Sequence, residues 1–387
     1  MTFKVVDMVG SCSIKNTVFS VSLLLLFGVS IFVPGEAIAQ FNGELLCPDP
    51  DSGAGENGRQ GLANFPTAEL FPLDNPEPPA FALGTHPLLP ERIMEFADGL
   101  RLLPVQDRVY VLMGAGGNIT LQIRNEGTED GVLLVDTGNA ELGVAVQAAI
   151  RQITSAPIRT IINTSDGEQH VGGNLALGPH GSRLTTGGGG GETAGAAIIA
   201  REEAMIRMIV AGEPDCTWPN RTYAAYPRLT MFFNGEGIRV MHMPDAITDG
   251  DSFVHFRGSD VVSTGAIFNT DRYPPIDLER GGSINGVVAA LNELLEITIP
   301  ALKNEGGTYV VPGHGRIADE ADVSEYRDMA TIVRDRIKTY IERGMSLEEV
   351  QQLRPTLEYD GLYANGLSPE EFVEIVYMSL GRTGGLR

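Results

Sequence analysis

Two histidines, His170 and His314, sit just past apolar runs and offer the most chemistry in the chain. An imidazole can bind a metal, carry a proton or activate a hydroxyl. His170 closes the polar stretch Asn163-Thr164-Ser165-Asp166-Gly167-Glu168-Gln169 and is followed by Val171-Gly172-Gly173-Asn174. His314 lies in Pro312-Gly313-His314-Gly315. Two imidazoles and one carboxylate suffice for zinc or a redox metal. Asp166 and Glu168 are adjacent carboxylates; Asp249 and Asp251 are others, but acids in such a turn more often cap loop backbone. Ser165 near His170 suggests a nucleophile and its base, yet no Gly-x-Ser-x-Gly elbow surrounds it. His242 and His255 lie on or beside strand-like runs and read as structural, whereas His86 and His180 read as surface loop residues.

The elements that must position these groups follow from hydropathy patterning. Val109 to Met113, Ile119 to Arg124 and Gly131 to Asp136 read as short strands between Gly and Asn turns. Leu142 to Ile153 has helical spacing, and Ile158 to Asn163 is a buried strand leading into the His170 loop. Gly187 to Gly191 is a mobile connection, because it lacks the Lys-Ser/Thr ending of a phosphate cradle. Ala194 to Ala211 reads as a helix. Arg228 to Phe233, Ile238 to Met243, Phe253 to Phe256 and Val261 to Ser263 read as strands, Gly286 to Leu302 as a helix and Tyr309 to Pro312 as a last strand. The tail from Val323 is helical, with capping boxes at Ser346-x-x-Glu349 and Ser368-Pro369-x-Glu371. Pattern alone supports a mixed α/β protein.

Five motifs in order give a resemblance over residues 96–320. They are Asp136-Thr137-Gly138, the Asn163–Asn174 loop, Pro244 to Asp251, Ser263-Thr264-Gly265-Ala266 and Pro312 to Gly315. Together they resemble the metallo-β-lactamase superfamily, whose loop reads Asn-Thr, then His-x-His-x-Asp-His, then Gly-Gly-Asn. The resemblance implies a four-layer αβ/βα sandwich. It also implies a place for each ligand. Three histidines would hold a first metal at Ser165, Gly167 and Ile247. The second metal would use Gln169, His170 and His314, with a bridging carboxylate at Ala266. Five of those seven places have changed, and both survivors belong to one metal. Asp136 would support the loop as a buried acceptor.

Gly and Ile carry no donor, and a hydroxyl is a poor ligand beside imidazole. Water must be brought to a pKa near 7 by a strongly held cation before it attacks. The expected protein is therefore a pseudoenzyme with a degenerate zinc site, acting through a small-molecule or protein ligand in the old groove. No cofactor is expected, or at most one weakly bound zinc, iron or manganese. The alternative is a mononuclear hydrolase of lactams, lactones or other ester-like bonds, built on His170, His314 and a carboxylate. Trp218, Tyr223 and Tyr226 in the Gly212–Tyr226 segment either line that groove or pin the loop to the domain.

Composition bounds the rest. A net charge of −22 and a pI near 4.6 exclude a nucleic-acid backbone and an anionic membrane surface as natural partners. Residues 1–39 read as a signal peptide. Lys4 and Lys15 precede the apolar Val18 to Val33, and Ala37-Ile38-Ala39 offers a cleavage site. The rival reading is a retained membrane anchor, but those 16 residues are short for a span of about 20, which favours cleavage. The mature chain is then expected to start near Gln40, exported to a periplasm or secreted, with no remaining membrane span. Residues 40–95 form a Pro/Gly-rich arm whose Phe65, Phe71 and Phe81 are candidates to pack on the domain, and 321–387 form a C-terminal helical extension. Cys12 lies in the leader, leaving Cys47 and Cys216 either paired or as two free thiols. If they pair, thiol titration of the unfolded, unreduced mature chain finds none; two titrating thiols reject the bridge.

Overall fold

Parallel pairing and alternating burial explain the architecture. The computed structural model describes residues 93–123, 130–184, 192–224, 226–301 and 307–384. The leader, nearly all of the arm and the run Gly187–Gly191 lie outside them. In chain order the strands are β1 (Met94–Glu95), β2 (Arg101–Gln106), β3 (Val109–Met113), β4 (Ile119–Ile123), β5 (Val132–Val135), β6 (Ile158–Ile162), β7 (Ser182–Leu184) and β8 (Glu192–Ala194). They continue as β9 (Ala197–Arg201), β10 (Arg221–Tyr223), β11 (Arg228–Phe233), β12 (Glu236–Met243), β13 (Asp251–Phe256), β14 (Val261–Ser263) and β15 (Tyr309–Val311). The helices are α1 (Gly143–Ile153), α2 (Glu168–Val171), α3 (Asn174–Leu177), α4 (Glu202–Ala211), α5 (Ile284–Ile297), α6 (Glu320–Glu342), α7 (Leu347–Gln352), α8 (Asp360–Tyr363) and α9 (Pro369–Gly384).

One sheet has the order β1-β2-β3-β4-β5-β6-β9-β10, and the other β11-β12-β13-β14-β15. The period of two sorts each strand's side chains into layers. In β5, Leu133 and Val135 enter the core between the sheets, while Val132 and Leu134 meet α1 on the outer face. In β12, Ile238 and Val240 face the other sheet, while Met241 and Met243 face α5 and α6. Three separate apolar clusters thus fill the three spaces of an αβ/βα sandwich. This is the fold class expected from the motif order.

Two assignments by pattern need correction. The stretch Ala194 to Ala211 is not one helix. Its first part, Ala197–Arg201, is a parallel strand between β6 and β10. Ile198 and Ile199 are buried on opposite faces, and β-branched residues fit that position. Helix α5 starts at Ile284, two residues before the expected Gly286, because Ser283 caps it by accepting from the Gly286 N–H at 2.9 Å. Strands β2 and β10 were not apparent in the pattern.

The tail packs on the second sheet through rings. Phe268 meets Tyr326 edge-on at 5.3 Å, and Tyr273 stacks on Phe372 at 4.4 Å. Both capping boxes form, at Ser346/Glu349 and Ser368/Glu371. No helix among the described residues is long and apolar enough to cross a membrane.

The layer between the sheets is the structural keel. Phe256→Ala in that layer should cost about 3–5 kcal/mol of unfolding free energy, read from the denaturant midpoint. A loss under about 1 kcal/mol would show that this layer does not hold the sandwich together.

Candidate metal centre

Parallel pairing of β5 with β6, and of β14 with β15, sends four chain segments out at one end of the sandwich. Asp136 follows β5, the 163–174 loop follows β6, Thr264–Ala266 follows β14, and Pro312–Gly315 follows β15. The carboxyl ends of parallel strands are where α/β folds build sites. Segments from the two sheets touch there. The Ser252 N–H donates to the Thr164 carbonyl at 2.9 Å, and the Asn118 N–H donates to the Gly313 carbonyl at 2.9 Å. A Cβ on Gly265, at φ +53, would fall 2.3 Å from Thr164 Oγ1, so this crossing needs glycine.

Asp136 organises the first sheet's side. It adopts φ +65, uncommon for a non-glycine residue, and its side chain is 2% exposed. Its carboxylate accepts from the Thr164 N–H and Thr164 Oγ1, each at 2.7 Å, and from His170 Nδ1 at 2.7 Å. Burial pulls the His170 imidazole down, but the charge and hydrogen bond of Asp136, with Asp251 and Asp166 further off, outweigh it and hold His170 above its ordinary value.

A second set of bonds fixes the loop's shape. Asn163 Nδ2 donates to the His170 carbonyl at 2.9 Å, and Asn163 and Asn174 pair through their amides at 2.9 and 3.2 Å. Thr137 Oγ1 donates to Asn174 Oδ1 at 3.1 Å. A Cβ on Gly173 would lie 2.3 Å from the Thr137 carbonyl. Asn-Thr and Gly-Gly-Asn are therefore scaffold residues, bonded to each other.

The remaining places read as follows. Ser165 is buried, with Oγ accepting weakly from the Gly167 N–H at 3.4 Å. Gly167 presents no side chain, Ile247 is buried in the core behind the site, and Ala266 is half-buried against it. Gln169 and His314 come together: His314 Nε2 donates to Gln169 Oε1. Burial, then the charges of Arg272 and His170, push His314 down to about 4, so it is neutral at pH 7. Asp251 accepts from the Ile247 and Thr248 N–H groups at 2.7 Å, the capping role common for acids in such turns. Burial raises Asp251 to about 6, although the Thr248 bonds, the His170 charge and the Ile247 bond oppose it.

The three aromatics are not brought together. Tyr223 lies in the core between the sheets and shares a 2.5 Å hydrogen bond with Ser252. Trp218 Nε1 donates to the Glu213 carbonyl at 2.8 Å, tying down its own loop. Tyr226 is 76% exposed and borders a separate cavity with Arg228, His242 and Met243. Cys216 is disulfide-bonded, and the chain's other cysteines lie outside the described residues.

Residues that sequence inspection passed over turn out to border the site. Arg207 on α4 donates from Nε and Nη2 to Asp166, each at 2.9 Å, and also to Asp249. Arg280 adds a 3.1 Å bond to Asp166. An isolated arginine on a helix reads as a solvated face, so only a partner 41 residues away could have signalled it. Beside His314, a cavity of about 540 Å3 is lined by Ile93, Leu103, Met113, the Gly114–Gly117 turn, Arg101 and Arg316.

No protein-family model matches the chain, and no curated protein matches it. Solved structures do. A double mutant of the sec-alkyl sulfatase PisA1 superposes with a TM-score of 0.54 at 13% identity, over 74% of this chain and 52% of that one. The stereoselective inverting sec-alkylsulfatase Pisa1 from Pseudomonas sp. gives 0.52 at 14% identity, over the same 74% and 52%. A metallo-beta-lactamase from Pontibacter korlensis gives 0.47 at 16% identity, over 60% of this chain and 99% of that one. The chain thus spans about half the length of the alkylsulfatase structures it matches. The likeness is one of fold: this protein has the metallo-β-lactamase fold, an architecture shared with hydrolases.

Removing Asp136 strands a buried imidazole and two donors at once. Asp136→Ala should lower stability by about 3–5 kcal/mol, measured by chemical denaturation. A loss below about 1 kcal/mol would mean that the loop is held elsewhere.

Proposed function

We propose that this is an exported pseudoenzyme of the metallo-β-lactamase fold that binds a small ligand in the groove beside His314. The single observation that carries the reading is the state of the two remaining imidazoles. His170 bonds Asp136 through Nδ1 and His314 meets only the neutral amide of Gln169, so among the described residues the pair lacks a third imidazole, thiolate or carboxylate to complete a ligand set.

The fold family implies zinc, and the residues present do not fit it. Three first-metal places are Ser165, Gly167 and Ile247, and the bridging place is Ala266. Among the described residues no group of three or more His, Cys, Asp or Glu is arranged to hold a metal ion. The donor set offers two imidazoles joined by a neutral amide, without the charge that lowers the pKa of bound water.

The cavity favours a monoanion with an apolar body. Ile93, Leu103 and Met113 supply apolar wall, and the guanidinium of Arg101 at its edge has no partner among the described residues. Arg316 is already held by Asp322, and Asp271 lies by Arg272. A secondary alkyl sulfate has this chemistry and is a natural probe, since the structural neighbours are sec-alkylsulfatases by name.

The test uses the mature chain purified without chelator. Bound metal should be far below stoichiometric. Calorimetric titration with 2-octyl sulfate should show binding without release of inorganic sulfate. Arg101→Ala should weaken it about tenfold or more, the scale of one charge-assisted hydrogen bond. Stoichiometric zinc, iron or manganese that disappears in a His170→Ala, His314→Ala double variant, or steady sulfate release, would overturn the pseudoenzyme reading. Absence of binding would overturn the ligand assignment.

A further inference from the structure

We infer that the guanidinium of Arg207 performs the joining role that a first metal has in this frame, clamping the 163–171 and 244–251 segments together as an internal cation. In the frame, the first metal's ligand places lie on just those two segments, at Ser165 and Gly167 on one and Ile247 on the other. Arg207 grips the residues beside them. Its Nε and Nη2 form a fork on Asp166, which stands between Ser165 and Gly167. Its Nη1 bonds Asp249, and Nη2 reaches Thr248 Oγ1 at 3.4 Å; Thr248 and Asp249 lie one and two positions past Ile247. One planar cation with diverging donors thus spans the gap from α4.

Three further observations fit a built clamp. Asp166 is only 4% exposed, and a buried carboxylate requires a positive partner; Arg207 and Arg280 supply two. A Cβ at Gly250 would lie 2.7 Å from Arg207 Nη2, so the glycine makes room for the guanidinium. The Asp249 backbone is held in turn, its carbonyl accepting from His242 Nε2 at 2.7 Å and its N–H donating to the Arg280 carbonyl at 2.9 Å. Burial pulls Arg207 down, but the hydrogen bonds of Asp166 and Asp249 more than compensate and hold it above its ordinary range. Lysine lacks the fork and cannot reach three partners in one plane. Arg207 is a positioning residue here, and its role does not depend on which ligand the groove takes.

Hydrogen exchange on the mature protein tests this. In Arg207→Ala, amides in 163–171 and 244–251 should exchange about tenfold faster, while strands β5, β6 and β12 stay protected. Millimolar guanidinium chloride should restore protection, and equal sodium chloride or urea should not. Chelator should leave the wild type unchanged. Arg207→Lys should give a smaller loosening of the same two segments, and it serves as the test if the alanine variant does not fold. Unchanged exchange in these segments, loosening by chelator in the wild type, or no rescue by guanidinium would each overturn the clamp.

Discussion

The site depends on one buried carboxylate. Asp136 leaves β5 in a left-handed conformation that costs free energy for any residue with a Cβ. Three hydrogen bonds offset that cost, two from Thr164 and one from His170, so two parts of the neighbouring loop are drawn in. The Thr164 bonds fix where β6 ends. The His170 bond ties α2 to β5 and orients the imidazole. Through Thr164 the arrangement passes to the second sheet, since the Thr164 carbonyl accepts from Ser252 and its side chain leaves no room for a Cβ on Gly265. Without Asp136, both sheets would lose their common reference at this end.

That dependence separates the residues that hold the loop's shape from those that do not. Two kinds of residue share the loop. Asn163, Thr164, Gly172, Gly173 and Asn174 bond or pack against backbone, and each is needed whatever the groove contains. Ser165 instead makes only a weak contact to the Gly167 N–H, Gln169 bonds His314, and Gly167 has no side chain. Substituting the second group leaves the first untouched. Burying polar groups without partners is costly, so changed places must find new bonds. Gln169 meets His314, and Asp166, which lies between Ser165 and Gly167, meets two arginines.

Much of this was legible in the sequence, for a physical reason. The scaffold residues of the loop are local: Asn163 and Asn174 are eleven positions apart and meet because the turn between them is tight. The continuous apolar run of β5 likewise marks a strand buried on both faces. What was not legible depends on distance along the chain or on tertiary override. Arg207 meets Asp166 across 41 residues. Strand Ala197–Arg201 looks helical when joined to the Glu202–Ala211 segment, and only its burial between β6 and β10 makes it a strand. Tyr223 looked like a loop aromatic, but the parallel pairing of β10 with β9 turns it into the core between the sheets.

A metal and a guanidinium solve the same electrostatic problem differently. A divalent ion gathers ligands radially and polarises whatever water it holds. A guanidinium spreads a single charge over a plane and satisfies acceptors along its edge, so it can join two segments without creating a Lewis acid. With Arg207 in that role, the two segments are joined without a Lewis acid between them. The neutral His314 and the exposed Arg101 are then left as the groove's polar features. Such a surface can orient an anion by hydrogen bonding, which is the contact the proposed ligand would use.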